Sequence, residues 1–220
     1  MTAFSILEKK HLDVCVTLFI SQLARQITQT PALAADQIDP ADVREMLARL
    51  TEQAGGFVVH DETGFAGYMA GWEIEDFFGS SRGSYVPEWA HAARPGVGRE
   101  AVQSLYRSIG QRWADNGCRV HVANLLYADA PSLDAFSWNG FGYLCIDAVR
   151  RVNPIEVTPP AGVCIRPAQS DDRAVVLEMA LRVNQHLSLS PVFRASPEED
   201  TLEDAARWID SPGCHTWIAW

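Results

Sequence analysis

The stretch Ala93-Arg94-Pro95-Gly96-Val97-Gly98-Arg99-Glu100 constrains this chain more than any other, because a glycine turn leads directly into a helix. Val102, Leu105, Tyr106, Ile109 and Trp113 follow at the spacing of one apolar helix face. Upstream, Ser84 to His91 reads as a strand. A strand, a glycine turn and a helix N-terminus together make a place for an anion. The first helical N–H groups have no intrahelical acceptor, and the helix dipole favours negative charge beside them. Glycine lets the backbone take left-handed dihedrals and approach a diphosphate closely.

Composition narrows the partner. A net charge of -10 over 220 residues, with Lys9-Lys10 the only lysine pair, argues against nucleic acid or an anionic membrane. An anionic small molecule is still allowed, since backbone amides supply positive potential locally. Hydrophobic residues at 47% and charged ones at 21% describe a folded globular chain. The cysteines, Cys15, Cys118, Cys145, Cys164 and Cys214, are odd in number and widely spaced, which reads as buried free thiols in a reducing compartment. The first residues carry no secretory pattern, and Val14 to Ile20 is too short to span a bilayer, so a cytoplasmic protein is expected. His60, His121, Cys118 and Asp129 lack metal-ligand spacing, so no metal is expected, and no Gly-x-Ser-x-Gly occurs.

Along the chain, Phe4 to Glu8 reads as a strand and His11 to Gln26 as a helix broken by Thr30-Pro31. Asp36 to Pro40 reads as a loop, and Asp42 as the cap of a second helix that Gly55-Gly56 ends. Phe57 to His60 and Phe65 to Glu73 read as a hairpin about Asp61-Glu62-Thr63-Gly64, and Glu75 to Gly83 as a loop. After the long helix, Arg119 to Tyr127 reads as a central strand, Asp129 to Asn139 as a short helix and Tyr143 to Val149 as a further strand. Residues 153–162, with Pro154, Pro159 and Pro160, read as a linker. The pattern then begins again. Val163 to Ala168 is a strand, helices start at Ser170-Asp171 and Thr201, and Cys214 to Trp220 is a strand. That order repeats residues 4–60 and suggests a duplicated unit. Three segments follow: 1–152, a linker over 153–162, and a half-copy over 163–220.

The order of elements resembles the GCN5-related N-acetyltransferase (GNAT) family, carried by Gly96-Val97-Gly98 at the head of the long helix and Asn139-Gly140-Phe141 after the short one. The resemblance implies an α/β (α+β) fold: a mixed, twisted sheet with helices on both faces, here followed by a partial second copy. It implies strands that splay apart at Ser84–His91 and Arg119–Tyr127, with acetyl-CoA in the V between them. It places the cosubstrate at Arg94, Gly96, Val97, Gly98 and Arg99, and its pantetheine along the fourth strand like an added strand. Ala93 stands where the family turn has Gln or Arg, and Pro95 removes one backbone donor. Phe136 stands where the family's tyrosine protonates the departing thiolate, and phenylalanine has no proton to give.

N-acyl transfer needs a neutral amine, a polarised thioester and a protonated thiolate. Glu88 and His91 are candidate bases, weighed against an ion pair for Glu88 and a backbone bond for His91. Tyr127 is the candidate replacement acid, weighed against a packing role. Trp89, Trp113, Trp138, Phe77 and Phe78 are candidates to line a pocket, with core burial the plainer reading for Trp113. Two functions follow. The first is an N-acetyltransferase acting on an amine of a small molecule or protein. The second is a catalytically degenerate GNAT-like scaffold, a module for CoA binding or for pairing into a homodimer.

Overall fold

A computed structural model describes residues 3–33, 38–78, 81–149, 151, 160–189 and 200–220. The chain divides into two compact units, residues 1–77 with 81–151, and residues 78–80 with 152–220. Most of the expected linker, 153–159, lies outside the described residues, as do residues 34–37 of the expected loop before the second helix.

The first unit runs β1 (Ala3–Ile6), α1 (Leu12–Gln29), α2 (Pro40–Gln53), β2 (Gly56–Asp61), β3 (Gly64–Ala70), β4 (Trp72–Phe77), β5 (Ser81–Val86), β6 (His91–Ala93), α3 (Gly98–Asp115), β7 (Val120–Ala123) and α4 (Ala130–Trp138). One ladder has the order β1-β2-β3-β6, all antiparallel. The other has the order β4-β5-β7, with β5 and β7 parallel. The ladders are continuous through the backbone, β3 passing into β4 at Gly71 and β5 into β6 across Pro87–Ala90. Gly71 is needed for closeness: a Cβ there would lie 2.8 Å from Tyr85 O and from the Trp113 ring.

Both faces of the sheet are covered. Neighbouring residues of a strand point to opposite faces, and Val58, Val59, Tyr68 and Met69 are all fully buried. α1 packs on β3 and β6, and α3 packs on β2 and β3. α3 buries Ala101, Val102, Leu105, Ile109 and Trp113, nearly the face its spacing anticipates. Burying such a face contributes roughly 1.5–3 kcal/mol for each large side chain.

Several boundaries depart from expectation. The loop expected over Glu75 to Gly83 is largely a β4–β5 hairpin, turned by Asp76 and Phe78 at positive φ. α2 is capped by Asp39, whose carboxylate accepts from Ala41 N at 2.8 Å, with Pro40 opening the helix; Asp42 lies inside the first turn. β7 is shorter than the apolar run Arg119–Tyr127 and ends the order β4-β5-β7 instead of sitting inside it. Tyr143 to Val149 forms no strand. Cys15 and Cys118 are buried free thiols, whereas Cys145, Cys164 and Cys214 are exposed, against the expectation of burial.

In the second unit β8 (Ile165–Pro167) pairs antiparallel with β9 (Trp217–Ala219), and α5 (Arg173–Ser188) and α6 (Leu202–Asp210) lie between them in sequence. β8 is thus the partner of the apolar C-terminal strand β9. Only Ala205 and Ile218 of this unit's described apolar residues are buried; α5 buries none, although Val176, Met179, Ala180, Val183 and Leu187 fall at the spacing of one apolar helix face.

Candidate functional site

The two ladders part company at a definable place. β5 and β7 are paired as far as Val86 opposite Ala123, and Asn124 N still donates to Val86 O at 2.8 Å. Beyond that point the strand β5–β6 is interrupted. Pro87 has no N–H to give, Ala90 N turns back to Pro87 O at 2.9 Å, and the chain resumes as β6 beside β3. The segment after β7, residues 124–128, takes no place in either ladder. A gap opens between β6 and this arm.

One side of the gap is an unused strand edge. Ala90 O accepts from Ala70 N, and Arg94 N donates to Ala66 O, both at 2.8 Å, so residues 90, 92 and 94 address β3. By the alternation of an antiparallel strand, the backbone N–H and C=O of His91 and Ala93 face the other way. At the end of β6 the chain turns through Gly96 (φ +85°) into Gly98 (φ +73°), the first residue of α3. A Cβ added at either glycine would meet nothing within 4 Å. These glycines serve backbone dihedral and open space, not close packing.

A cleft of about 220 Å³ lies at this turn, with Arg94, Gly96 and Gly98 on one wall, Ala128 and Asp129 on the other, and Arg25 of α1 beside them. The N-terminal ends of α3 and α4 both border it, since its lining includes Gly98 and Pro131. Two helix starts and two guanidinium groups favour an anion here. Arg94 is itself ion-paired to Asp61. Arg25 bonds only Ser21 on its own helix, weakly at 3.3 Å, and has no acidic partner among the described residues. The opposing charge is Asp129, whose carboxylate accepts from Gln22 Nε2 at 2.8 Å.

The expected cofactor-binding residues are not all alike. Arg94, Gly96 and Gly98 line the cleft, while Val97 and Arg99 are not among its lining residues. Val97 N already donates to Arg94 O at 3.2 Å. Arg99 pairs with Asp134 at 3.1 Å and lies 5.0 Å over the Trp138 ring, tying α3 to α4. The carboxyl of Asp61, bonded first by the Thr63 hydroxyl and amide and then by Arg94, is held below the usual carboxylate range.

The expected catalytic residues are also separated. Glu88 stands in the turn between β5 and β6, half-buried, with no hydrogen bond or ion pair among the described residues. His91 is 1% exposed and its Nε2 donates to Asn124 O at 2.9 Å, bridging the gap near its origin. Burial pushes its pKa down, so it is a neutral ring committed to the backbone, and the structural alternative describes it. Tyr127 is 77% exposed on the turn that follows the arm. Phe136 is buried in an aromatic cluster, 4.9 Å from Phe141, 5.6 Å from Tyr106 and 6.4 Å from His91 between ring centroids. Trp89 and Trp113 are buried, whereas Trp138 is largely exposed. No group of three or more metal-ligating side chains occurs among the described residues.

Sequence reasoning missed Arg25, Gln22 and Gln26. All three belong to an amphipathic helix whose polar residues look like ordinary surface. Only Gln22 and Gln26, falling at i and i+4 on the apolar face, carried a signal, since a buried amide must find a partner.

No family model matches this chain, and no curated protein matches it. Among solved structures, the chain is similar to a ribosomal-protein-alanine N-acetyltransferase from Brucella melitensis biovar Abortus 2308. The identity is 10% over 68% of this chain and 99% of that one, with a TM-score of 0.50. It is also similar to a predicted acetyltransferase with acetyl-CoA from Clostridium acetobutylicum, 13% identical over 70% of this chain and 96% of that one, TM-score 0.48. A third is an aminoglycoside N-acetyltransferase in complex with CoA, 14% identical over 71% and 95% of the two chains, TM-score 0.45. At such identities the likeness is one of fold: the chain has a mixed α/β fold similar to that of the Brucella N-acetyltransferase.

Proposed function

We propose that this chain is an N-acetyltransferase that moves an acetyl group from acetyl-CoA to an amine. The observation that carries the reading is the anion-suited cleft where the glycine turn, two helix N-termini, Arg25 and Arg94 converge at the mouth of the strand gap. A diphosphate suits that cleft, with the amides of Gly98 and the next residues of α3 as donors. The outward-facing backbone groups of Ala93, half-buried at the cleft end of β6, suit an amide of a pantetheine arm, paired as a third strand would be.

Within that reading Glu88 is the base. It is the half-buried carboxylate beside the gap that no cation among the described residues neutralises, and it takes a proton from the substrate ammonium, directly or through water, to leave the neutral amine that attacks. His91 orients the gap instead of titrating in it. Tyr127 is the candidate proton donor to the departing thiolate, from a solvent-facing turn position in place of the absent hydroxyl at Phe136. The buried phenylalanine at that place is the specific observation favouring the second reading, a GNAT-like module that binds CoA without turnover. The tandem reading is supported by β8, α5, α6 and β9, which repeat the order and the antiparallel pairing of β1, α1, α2 and β2. Each copy enters its first helix through a short 3₁₀ turn with reciprocal capping, Glu8 with His11 and Gln169 with Asp172.

The test is thermal unfolding with acetyl-CoA. Ligand at a hundred times its dissociation constant adds about 2.7 kcal/mol to stability, which raises the midpoint visibly. Gly96→Asp and Arg25→Ala each lower the affinity. No shift at millimolar acetyl-CoA ends the reading. Binding without thiol release over a panel of amines selects the non-enzymatic alternative.

A further inference from the structure

Strands that run side by side and then separate leave backbone groups without partners, and such groups are costly when buried. The arm at residues 124–129 solves this with side chains. Asn124 O receives Nε2 of His91 at 2.9 Å. Ala128 N donates to Oε1 of Gln26 at 2.6 Å. Asp129, 7% exposed, accepts from Nε2 of Gln22 at 2.8 Å, and Gln22 itself is 1% exposed. Gln26 is held in turn, its Nε2 donating to the Thr30 hydroxyl at 2.9 Å. The two glutamines stand one helical turn apart on α1, the helix that packs against β6. They therefore grip one wall of the cleft from the element that supports the other.

We propose that Gln22 and Gln26 are positioning residues that hold the cleft open, by giving the 124–129 arm the partners that a closed sheet would otherwise supply. With Ala128 N–H and the Asp129 carboxylate bonded to α1, the arm does not have to zip onto the unused edge of β6, and that edge stays open to the cleft at Ala93. The arm also leads directly into α4, so the clamp fixes where that helix N-terminus faces. The hydrogen bonds of the two glutamines go to Asp129, Ala128 and Thr30 and not to the glycine turn.

The kinetic consequence rests on the acetyl-CoA reading; the structural consequence does not. Gln26→Met keeps the volume and removes the acceptor for Ala128 N–H. Its expected effects are loss of hydrogen-exchange protection at the Ala128 amide and a rise in KM for acetyl-CoA of about fivefold to tenfold, the worth of one such bond. The KM for the amine and kcat stay near wild type. Gln22→Met acts in the same direction. Leu23→Ala is the control, a buried α1 substitution outside the clamp that lowers stability without changing KM for acetyl-CoA. An unchanged exchange rate at Ala128 in Gln26→Met overturns the clamp. A rise in KM equal in Leu23→Ala reduces it to ordinary helix packing. If wild-type protein binds no acetyl-CoA, the acetyltransferase reading fails while the exchange experiment still decides the clamp.

Discussion

His91 shows how one residue's chemistry follows from its burial. Removing an imidazole from water disfavours its charged form, and here that term outweighs the bond to Asn124 O and the pull of Asp129 and Glu88. A folded pKa below the ordinary 6.5 means that the unfolded chain binds the extra proton first as pH falls. Native stability from this residue is therefore complete above pH 6.5 and declines as pH drops from there toward the depressed folded value. His121, also lowered mainly by burial, acts in the same direction. Urea unfolding at pH 7 and pH 5 should show the decline, and His91→Gln, which keeps an N–H donor but cannot titrate, should make it shallower. An identical pH dependence in that variant would mean that His91 takes up its proton as readily in the folded chain as in the unfolded one.

At the scale of elements, helix ends decide where the site's parts stand. Asp39 caps α2 through one short bond to Ala41 N, with Pro40 at the first helical position where a missing N–H costs nothing. Asp39→Ala should lower stability by about 1 kcal/mol, measured as a fall in the urea midpoint with unchanged slope, while Asp42→Ala changes it by less. α3 is placed differently. It has no side-chain cap hydrogen bond, and its N-terminal residue is a glycine at positive φ beside a cleft. The starts of α1 and α4 lack such a bond too, so what sets α3 apart is its opening glycine at positive φ beside the cleft.

For the whole molecule, the two units differ in how much they bury. The first has a continuous core that includes both faces of its sheet, from Leu7 to Phe136. The second buries only Ala205 and Ile218 among its described apolar residues and leaves Ile165, Met179, Val183 and Trp217 exposed. Local stability follows buried apolar contact. Amides of α5 should therefore exchange much faster than those of α3 under native conditions, a difference that mass-resolved hydrogen exchange reads directly. Equal protection would show that the second unit gains its stability from something other than the contacts described. Among the described residues no helix is long and apolar enough to cross a membrane.

The glycine turn and the helix after it were legible because both are local: two glycines needing positive φ, then apolar residues at helical spacing through Trp113. The order strand, helix, helix, strand after residue 163 was legible for the same reason, since periodicity survives without any knowledge of packing. The break at Pro87–Ala90 was less so, because Ser84 to His91 has the composition of one strand and its interruption depends on which neighbour each half finds. Tyr143 to Val149 has a strand's composition too, yet a strand exists only where a partner edge is offered, and none is taken there. The contact between Gln22 and Asp129 spans 107 positions of chain. No local pattern encodes it. The sequence by itself determined the long helices and the positive-φ glycine turn before α3, because those depend on nearby residues. Only the tertiary structure decided which edges stay unpaired, which carboxylate is left without a cation and which glutamines reach across, because each of these is settled by what a distant segment does or does not cover.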